Sequence, residues 1–248
     1  MGYSGDLAGG NGNLFKNLLI EGLGTFIFSY VFLSGFVGRF FLVANSAILF
    51  PAVLTVLNWV CFPLSGAHFN PCVTLALMIK NKIEAKKGLF YILVQMAATF
   101  IASLILYLNL TEDIYNKSIK TAYWNSRAPS SRISNDKRYL TFILEFIGTF
   151  LFVLIFFAAN IGKGGTNVTA GFMIALGFLF ANSMIASATC GVLNPFLYIC
   201  PRLLTMDLPD ILWYILGPPL GAVLAAFVYE PLIGDNISED ETPLIDLN

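Results

Sequence analysis

Charge is what this sequence has least of. Only 12% of its 248 residues are Asp, Glu, Lys or Arg, where a soluble domain carries roughly 25%. The chain therefore lacks the polar surface that a water-soluble protein of this size needs. Histidine is nearly missing too. His68 stands alone, and with no second His or carboxylate beside it no metal or catalytic role is expected there. The four cysteines (Cys61, Cys72, Cys190 and Cys200) lie in or beside apolar segments, which argues against a disulfide framework. A phosphate-binding loop is absent, since Gly162-Lys-Gly-Gly-Thr166 has the wrong spacing, and no nucleophile–base set is evident. An enzyme is not expected, nor a cofactor. The net charge of −1 says little about partners, and no nucleic acid is expected among them.

What is present is apolar sequence in long runs. Hydrophobic residues make up 57% of the chain, and its mean hydropathy is +0.75. The segments Leu18–Val37, Ala44–Phe62, Gly88–Leu108, Leu140–Ala159, Val168–Ala188 and Ile211–Tyr229 each approach the roughly 20 residues that cross a bilayer as a helix. Only the first and fourth contain a charge, Glu21 and Glu145. The expected class is an all-α membrane protein with six transmembrane helices. The stretch Met1–Asn13 is polar and Gly-rich, with no cleavable signal evident, and Asp6 spoils a myristoylation pattern at Met1-Gly2. The tail Asp235–Asn248 is acidic, suited to solvent or to a neighbouring protein. Six spans put both ends on one face. The short loop with Lys80, Lys82, Lys86 and Lys87 favours that face being cytoplasmic. The host membrane, whether plasma membrane or an organelle such as the mitochondrion, is left open. Asn109-Leu-Thr111 and Asn116-Lys-Ser118 are formal glycosylation sequons of a kind that arises often by chance.

Self-similarity is the informative feature. Glu21-Gly-Leu-Gly24-Thr25-Phe26 recurs as Glu145-Phe-Ile-Gly148-Thr149-Phe150, and Asn70-Pro71 recurs as Asn194-Pro195, each 124 positions on. One Asn-Pro is an ordinary turn signal, but joint recurrence at one offset of half the chain marks a duplication. The organisation expected is a polar segment 1–13, a first repeat 14–110, a connecting loop 111–138, a second repeat 139–230 and an acidic tail 231–248. Three spans per repeat make the repeats inverted, an architecture that places its functional site near the midplane where the halves meet. Pro71–Ile79 and Pro195–Leu203 are apolar but too short to span. Each starts with Pro at the first helical position behind an Asn suited to the N-cap. Two such half-helices, entering from opposite faces, bring two helix N-termini and two amide donors together, with a field that disfavours cations. The irregular stretches Ser65–Phe69 and Thr189–Leu193 are expected to expose backbone carbonyls, tolerated at that depth only within protein or along a wet cavity. A pore for small uncharged solutes is the physical reading.

Ser65-Gly-Ala-His-Phe-Asn-Pro71 closely resembles the first signature of the aquaporin and aquaglyceroporin (major intrinsic protein) family, and Cys190-Gly-Val-Leu-Asn-Pro195 resembles the second. Glu-x-x-Gly-Thr in the first and fourth spans, Gln95 in the third, and Gly217-Pro218 with Gly221 in the sixth extend the resemblance over nearly the whole chain. It implies six tilted helices plus two re-entrant half-helices in an aquaporin-like fold. It also implies a homotetramer among membrane lipids, with one pore for water or small neutral solute per subunit. It makes Asn70 and Asn194 the donors at the pore centre, and places Gly66, Ala67, His68, Cys190, Gly191 and Val192 along the pore with Cys72 and Phe196. Glu21 and Glu145 become buried braces of the re-entrant loops. The alternative for these two is a charge near a helix end reaching water, against which their recurrence argues. His68 becomes a structural side chain whose carbonyl faces the pore.

The departures from the family pattern bear on function. The alanine after each Asn-Pro is Cys72 in one half and Phe196 in the other. The filter arginine is replaced by Leu197, and because Pro201 keeps its place, Arg202 belongs to another position. Counting without gaps puts the remaining filter positions at Phe50, Asn182 and Gly191. Asn182 stands where water-specific members carry His and glycerol-conducting members usually carry Gly. Losing Arg removes guanidinium donors and a fixed positive charge, and leaves a wall of Leu197 and Phe50 that dewetting can close. A passive channel with an altered filter is the first expectation. A non-conducting structural subunit of a larger hetero-oligomeric membrane assembly is the alternative.

Overall fold

The computed structural model describes residues 13–36, 43–117, 138–160, 167–208, 210–229 and 231. The N-terminal segment up to residue 12, most of the connecting loop (118–137, including Ser118 of the second sequon) and the acidic tail from 232 onward lie outside the described residues, as do Arg39 and Lys163.

Among the described residues stand six long helices and two short ones, α1 (Leu14–Phe36), α2 (Val43–Ser65), α3 (Pro71–Ile79), α4 (Ala85–Asn109), α5 (Tyr139–Asn160), α6 (Asn167–Thr189), α7 (Pro195–Leu203) and α8 (Ile211–Tyr229), besides a short helical segment over 112–117. The short pair coincides with the segments after each Asn-Pro. α1, α4, α5, α6 and α8 each contain an apolar stretch long enough to cross a membrane. α2 has 23 residues, about 34 Å at 1.5 Å per residue, and carries Pro51 and Pro63 inside it. Proline at membrane depth is tolerated where neighbouring helices and Ser/Thr side chains satisfy the freed backbone.

The polarity of the molecule runs inside out. Leu19, Leu23, Val60, Leu93, Leu212 and Phe227 are all well exposed, a surface suited to lipid rather than water. Glu21, Ser29, Gln95, Thr99, Ser103, Glu145 and Thr149 are completely buried. Between such helices close approach depends on small residues and interhelical hydrogen bonds. At Gly221 in α8 a Cβ would lie 2.2 Å from the Phe146 carbonyl oxygen of α5, and at Gly217 it would lie 2.9 Å from that of Phe142. α1 and α4 are joined by Ser29 Oγ and Thr99 Oγ1, 3.0 Å apart.

The inverted repeat extends to single atoms. Gly66 N–H donates to the Phe62 carbonyl at 2.9 Å, and Cys190 N–H to that of Ala186 at 3.1 Å. Ala67 N–H donates to Ser65 Oγ at 3.2 Å, and Gly191 N–H to Thr189 Oγ1 at 3.3 Å. Each partner in the second half stands 124 positions beyond its counterpart in the first.

Candidate functional site: the crossed asparagines and the apolar lumen

Each re-entrant loop is a left-handed path held by one carboxyl group. The φ angles are positive at Gly66 (88°), Ala67 (48°) and Phe69 (51°), and again at Cys190 (70°), Gly191 (58°) and Leu193 (52°). An L-residue in that region costs about 1–2 kcal/mol, and four of these six are not glycine. The compensation comes from Glu21 and Glu145, both fully buried, which rules out the reading that they reach water. Glu21 Oε2 accepts from Ser65 Oγ at 2.9 Å and from His68 N–H at 3.3 Å. Its Oε1 accepts from Phe69 N–H and from Gln95 Nε2 at 2.9 Å. Glu145 Oε1 accepts from Thr189 Oγ1 at 2.7 Å and Val192 N–H at 3.2 Å, and its Oε2 from Leu193 N–H at 3.0 Å. Glu21 accepts four hydrogen bonds and Glu145 three, each worth about 0.5–1.5 kcal/mol net against the backbone strain.

The same arrangement explains the glycine of the Glu-x-x-Gly-Thr repeat. A Cβ on Gly24 would lie 2.1 Å from the Phe69 ring, and one on Gly148 would lie 2.7 Å from Leu193 Cδ2. Phe69 and Leu193 are the loop residues whose N–H groups the carboxyls hold, so each glycine leaves room for the side chain on the residue its neighbouring Glu anchors.

The asparagines then cross between the halves. Asn70, extended at φ −151° and ψ 125°, caps α3 by accepting from Cys72 N–H at 2.9 Å. Asn194, at φ −150° and ψ 112°, caps α7 by accepting from Phe196 N–H at 2.9 Å. Asn70 Nδ2 donates to the Leu193 carbonyl at 2.9 Å, and Asn194 Nδ2 to the Phe69 carbonyl at 3.4 Å. Each amide thus binds the residue just before its counterpart, and the two half-helix N-termini face each other. Among the flanking residues, Cys72 is 1% exposed, Val192 fully buried and His68 3% exposed, while Phe196 is half-buried. His68 lies against the Tyr91 ring at 5.1 Å, with Nδ1 3.1 Å from Thr74 Oγ1.

Of the expected filter positions, Asn182 and Gly191 are in direct contact. Phe50 and Leu197 are buried. Asn182 Nδ2 donates to the carbonyls of both Cys190 (3.1 Å) and Gly191 (2.7 Å). These carbonyls, expected to stand exposed, therefore have a partner within the protein. Gly191 has no room for a side chain, since a Cβ there would lie 2.7 Å from the Asn182 carbonyl oxygen.

Two sets of residues escape a reading of the sequence. Tyr91 and Tyr214 donate to the carbonyls of Ser65 and Thr189, each at 2.8 Å, closing the helix ends that precede the loops. They are not at the common offset, and a tyrosine in an apolar run carries no signal of its own. The second set is aromatic. Phe178 meets Phe28 at 5.3 Å, Phe152 at 5.5 Å and Phe32 at 6.1 Å, each edge to face, and Phe32 continues to Phe50 at 5.0 Å. All five rings are buried and come from α1, α2, α5 and α6. Phe28 and Phe152 stand 124 positions apart, and that pairing is the signal that finds them among 23 phenylalanines.

Residues 11–229 match the model of the family described as MIP, major intrinsic protein. The chain belongs to the major intrinsic protein family. That family is one of membrane channels, not of enzymes, and the chain is an integral membrane protein with its fold. Glycerol uptake facilitator protein-like 6 of Lactiplantibacillus plantarum is 29% identical over 216 residues, covering 86% of this chain and 95% of that protein. Aquaporin-4 of Mus musculus is 30% identical over 177 residues, 68% of this chain and 50% of its own length. Aquaporin-1 of Bos taurus is 31% identical over 181 residues, 71% of this chain and 62% of its own. The chain thus spans about half to three-fifths of those two mammalian relatives. Among solved structures, the aquaglyceroporin from Plasmodium falciparum superposes with a TM-score of 0.69 at 21% identity, over 89% of this major intrinsic protein and 97% of that chain.

Proposed function

We propose that this chain is a passive channel for small uncharged solutes, apolar where the family carries its filter arginine. The crossed asparagine pair carries the reading. Each amide has two N–H donors and uses one on the opposite loop, so the second is available to a passing oxygen atom. The half-helix N-termini add partial positive charge, which disfavours cations and a proton chain. Phe50 and Leu197, both buried, stand at the filter positions the family resemblance implies, and the buried rings of Phe28, Phe178 and Phe152 pack between the halves. A solute there loses water and gains few replacement bonds, so small molecules with few hydrogen-bonding groups, such as ammonia, pass more easily than polyols. The lysines at 80, 82, 86 and 87 favour a cytoplasmic face for the chain ends, and the assembly suggested by the family is a homotetramer.

A second reading, a non-conducting structural subunit, is favoured by the aromatic cluster and by the burial of Asn70 (4% exposed) and Asn194 (1%). Purified protein in liposomes separates the two. Permeability to water, glycerol, ammonia or hydrogen peroxide above that of empty vesicles supports the channel, and no increase for any of them leaves the structural role. Leu197→Arg is expected to shift the solute preference, and an unchanged profile removes Leu197 from the filter.

A further inference from the structure

The two halves place an asparagine at the same station. At four-residue steps α2 carries Phe50, Leu54 and Asn58, and α6 carries Ile174, Phe178 and Asn182. The two sets correspond at the offset of 124, and all six residues are buried. Because α2 and α6 run in opposite directions, Asn182 lies level with Phe50 on the far side of the crossed asparagines. Asn58 lies level with Ile174 on the side of the chain ends. At the same offset Ala67 and Val73 correspond to Gly191 and Leu197, the remaining filter positions. The repeat therefore defines a second set of four positions, Asn58, Ile174, Ala67 and Val73, matching the four of the filter.

The two asparagines differ in what their amides do. Asn182 Nδ2 is engaged by the Cys190 and Gly191 carbonyls. Asn58 is 1% exposed, and its Nδ2 has no hydrogen-bond partner. A buried amide donor left unsatisfied is costly, and in an apolar helix Leu would fill the place without that penalty. The cost has a purpose if the partner arrives from outside.

We propose that Asn58 is a solute-docking residue, donating from Nδ2 to the carbonyl or hydroxyl oxygen of a small uncharged solute on the chain-end side of the asparagine pair. The inference rests on the channel reading above. A solute's oxygen then meets amide donors in sequence, at Asn58 and next at Asn70 and Asn194. This makes the lumen asymmetric: polar on approach from the chain ends, and apolar beyond the centre, where Asn182 has turned its donors to the backbone.

The test compares wild type, Asn58→Leu and Asn58→Ser, measuring formamide and water permeability in liposomes together with the thermal midpoint in detergent. Asn58→Leu is expected to lower formamide permeability about fivefold, the size of one net hydrogen bond of about 1 kcal/mol. Its thermal midpoint is expected to equal or exceed that of wild type, because an unsatisfied buried donor has been removed. Asn58→Ser, which retains a donor, stays within about twofold of wild-type flux. A purely structural role predicts the reverse for stability, so a lowered midpoint in Asn58→Leu overturns the proposal. Wild-type flux that is unchanged in Asn58→Leu overturns it while leaving the channel reading intact. A wild type that conducts nothing overturns both.

Discussion

Phe178→Ala tests the aromatic cluster at the point where it joins the two halves. Phe178 makes edge-to-face contacts with Phe28 at 85°, Phe152 at 85° and Phe32 at 79°. It is 2% exposed, and truncation leaves a cavity that α1, α5 and α6 cannot readily close. Phe→Ala in a packed core costs about 3–5 kcal/mol, and aromatic pairs contribute about 0.5–1.5 kcal/mol each beyond buried area. The unfolded reference in a bilayer is itself apolar, so about 3 kcal/mol is the figure expected here. A lower thermal midpoint in detergent measures it. The functional consequence has the opposite sign. If the ring narrows the conduction path, its removal lowers the barrier to small solutes, and a reduction of about 1.4 kcal/mol raises flux tenfold. Stopped-flow shrinkage of proteoliposomes reads that gain. Phe178→Leu, which places in α6 the residue that α2 carries at Leu54, is expected to lie between wild type and Phe178→Ala on both measures. A folded Phe178→Ala with the flux of wild type refutes the reasoning, because the cluster then lies outside the path.

Two further predictions concern the braces. Gln in place of Glu21 turns its NH2 toward either Phe69 N–H or His68 N–H, and Gln in place of Glu145 toward either Leu193 N–H or Val192 N–H, while the Ser65 and Thr189 hydroxyls and the Gln95 amide can turn to accept. With about 1–3 kcal/mol lost per orphaned buried donor, both variants should melt below wild type in detergent by similar amounts; an unchanged midpoint in either would contradict the assignment of partners. Gly24→Ala should destabilise more than Gly148→Ala, by about 1–3 kcal/mol of overpacking. The first drives a Cβ into a rigid ring and the second meets the mobile ends of Leu193 and Ile185. Comparison of the two midpoints checks it.

Much of this architecture is legible without coordinates because membranes impose a coarse grammar. Apolar runs of fixed length mark the helices, and Asn-Pro before a short apolar segment marks a half-helix with its own cap. Glu21 and Glu145 stand out because charge is rare in such runs. The glycines that follow them gain their meaning only with Phe69 and Leu193 in place. Asn58 illustrates the limit. One asparagine in α2 is unremarkable by type, and Asn182 draws notice only through family resemblance. That their amides differ, one bound to two carbonyls and the other unpartnered, depends on backbone paths sequence patterns do not reach. The carbonyls of Cys190 and Gly191 make the same point: irregular backbone is foreseeable, but the side chain that occupies it is not.

The crossed asparagine bonds have a consequence for how the chain is made. Asn70 and its acceptor Leu193 are separated by 123 positions, and Asn194 and Phe69 by 125. During synthesis the first half enters the bilayer before its partner loop exists, with the Asn70 amide and the Phe69 carbonyl still lacking each other's counterparts. Closing contacts so distant in sequence is slow, and polar groups left waiting at membrane depth are expensive. The first three spans must therefore hold their re-entrant loop by local means, through Glu21, Ser65, Gln95 and Tyr91, until the second half arrives to complete it. The brace that shapes the pore is also what makes its assembly order workable.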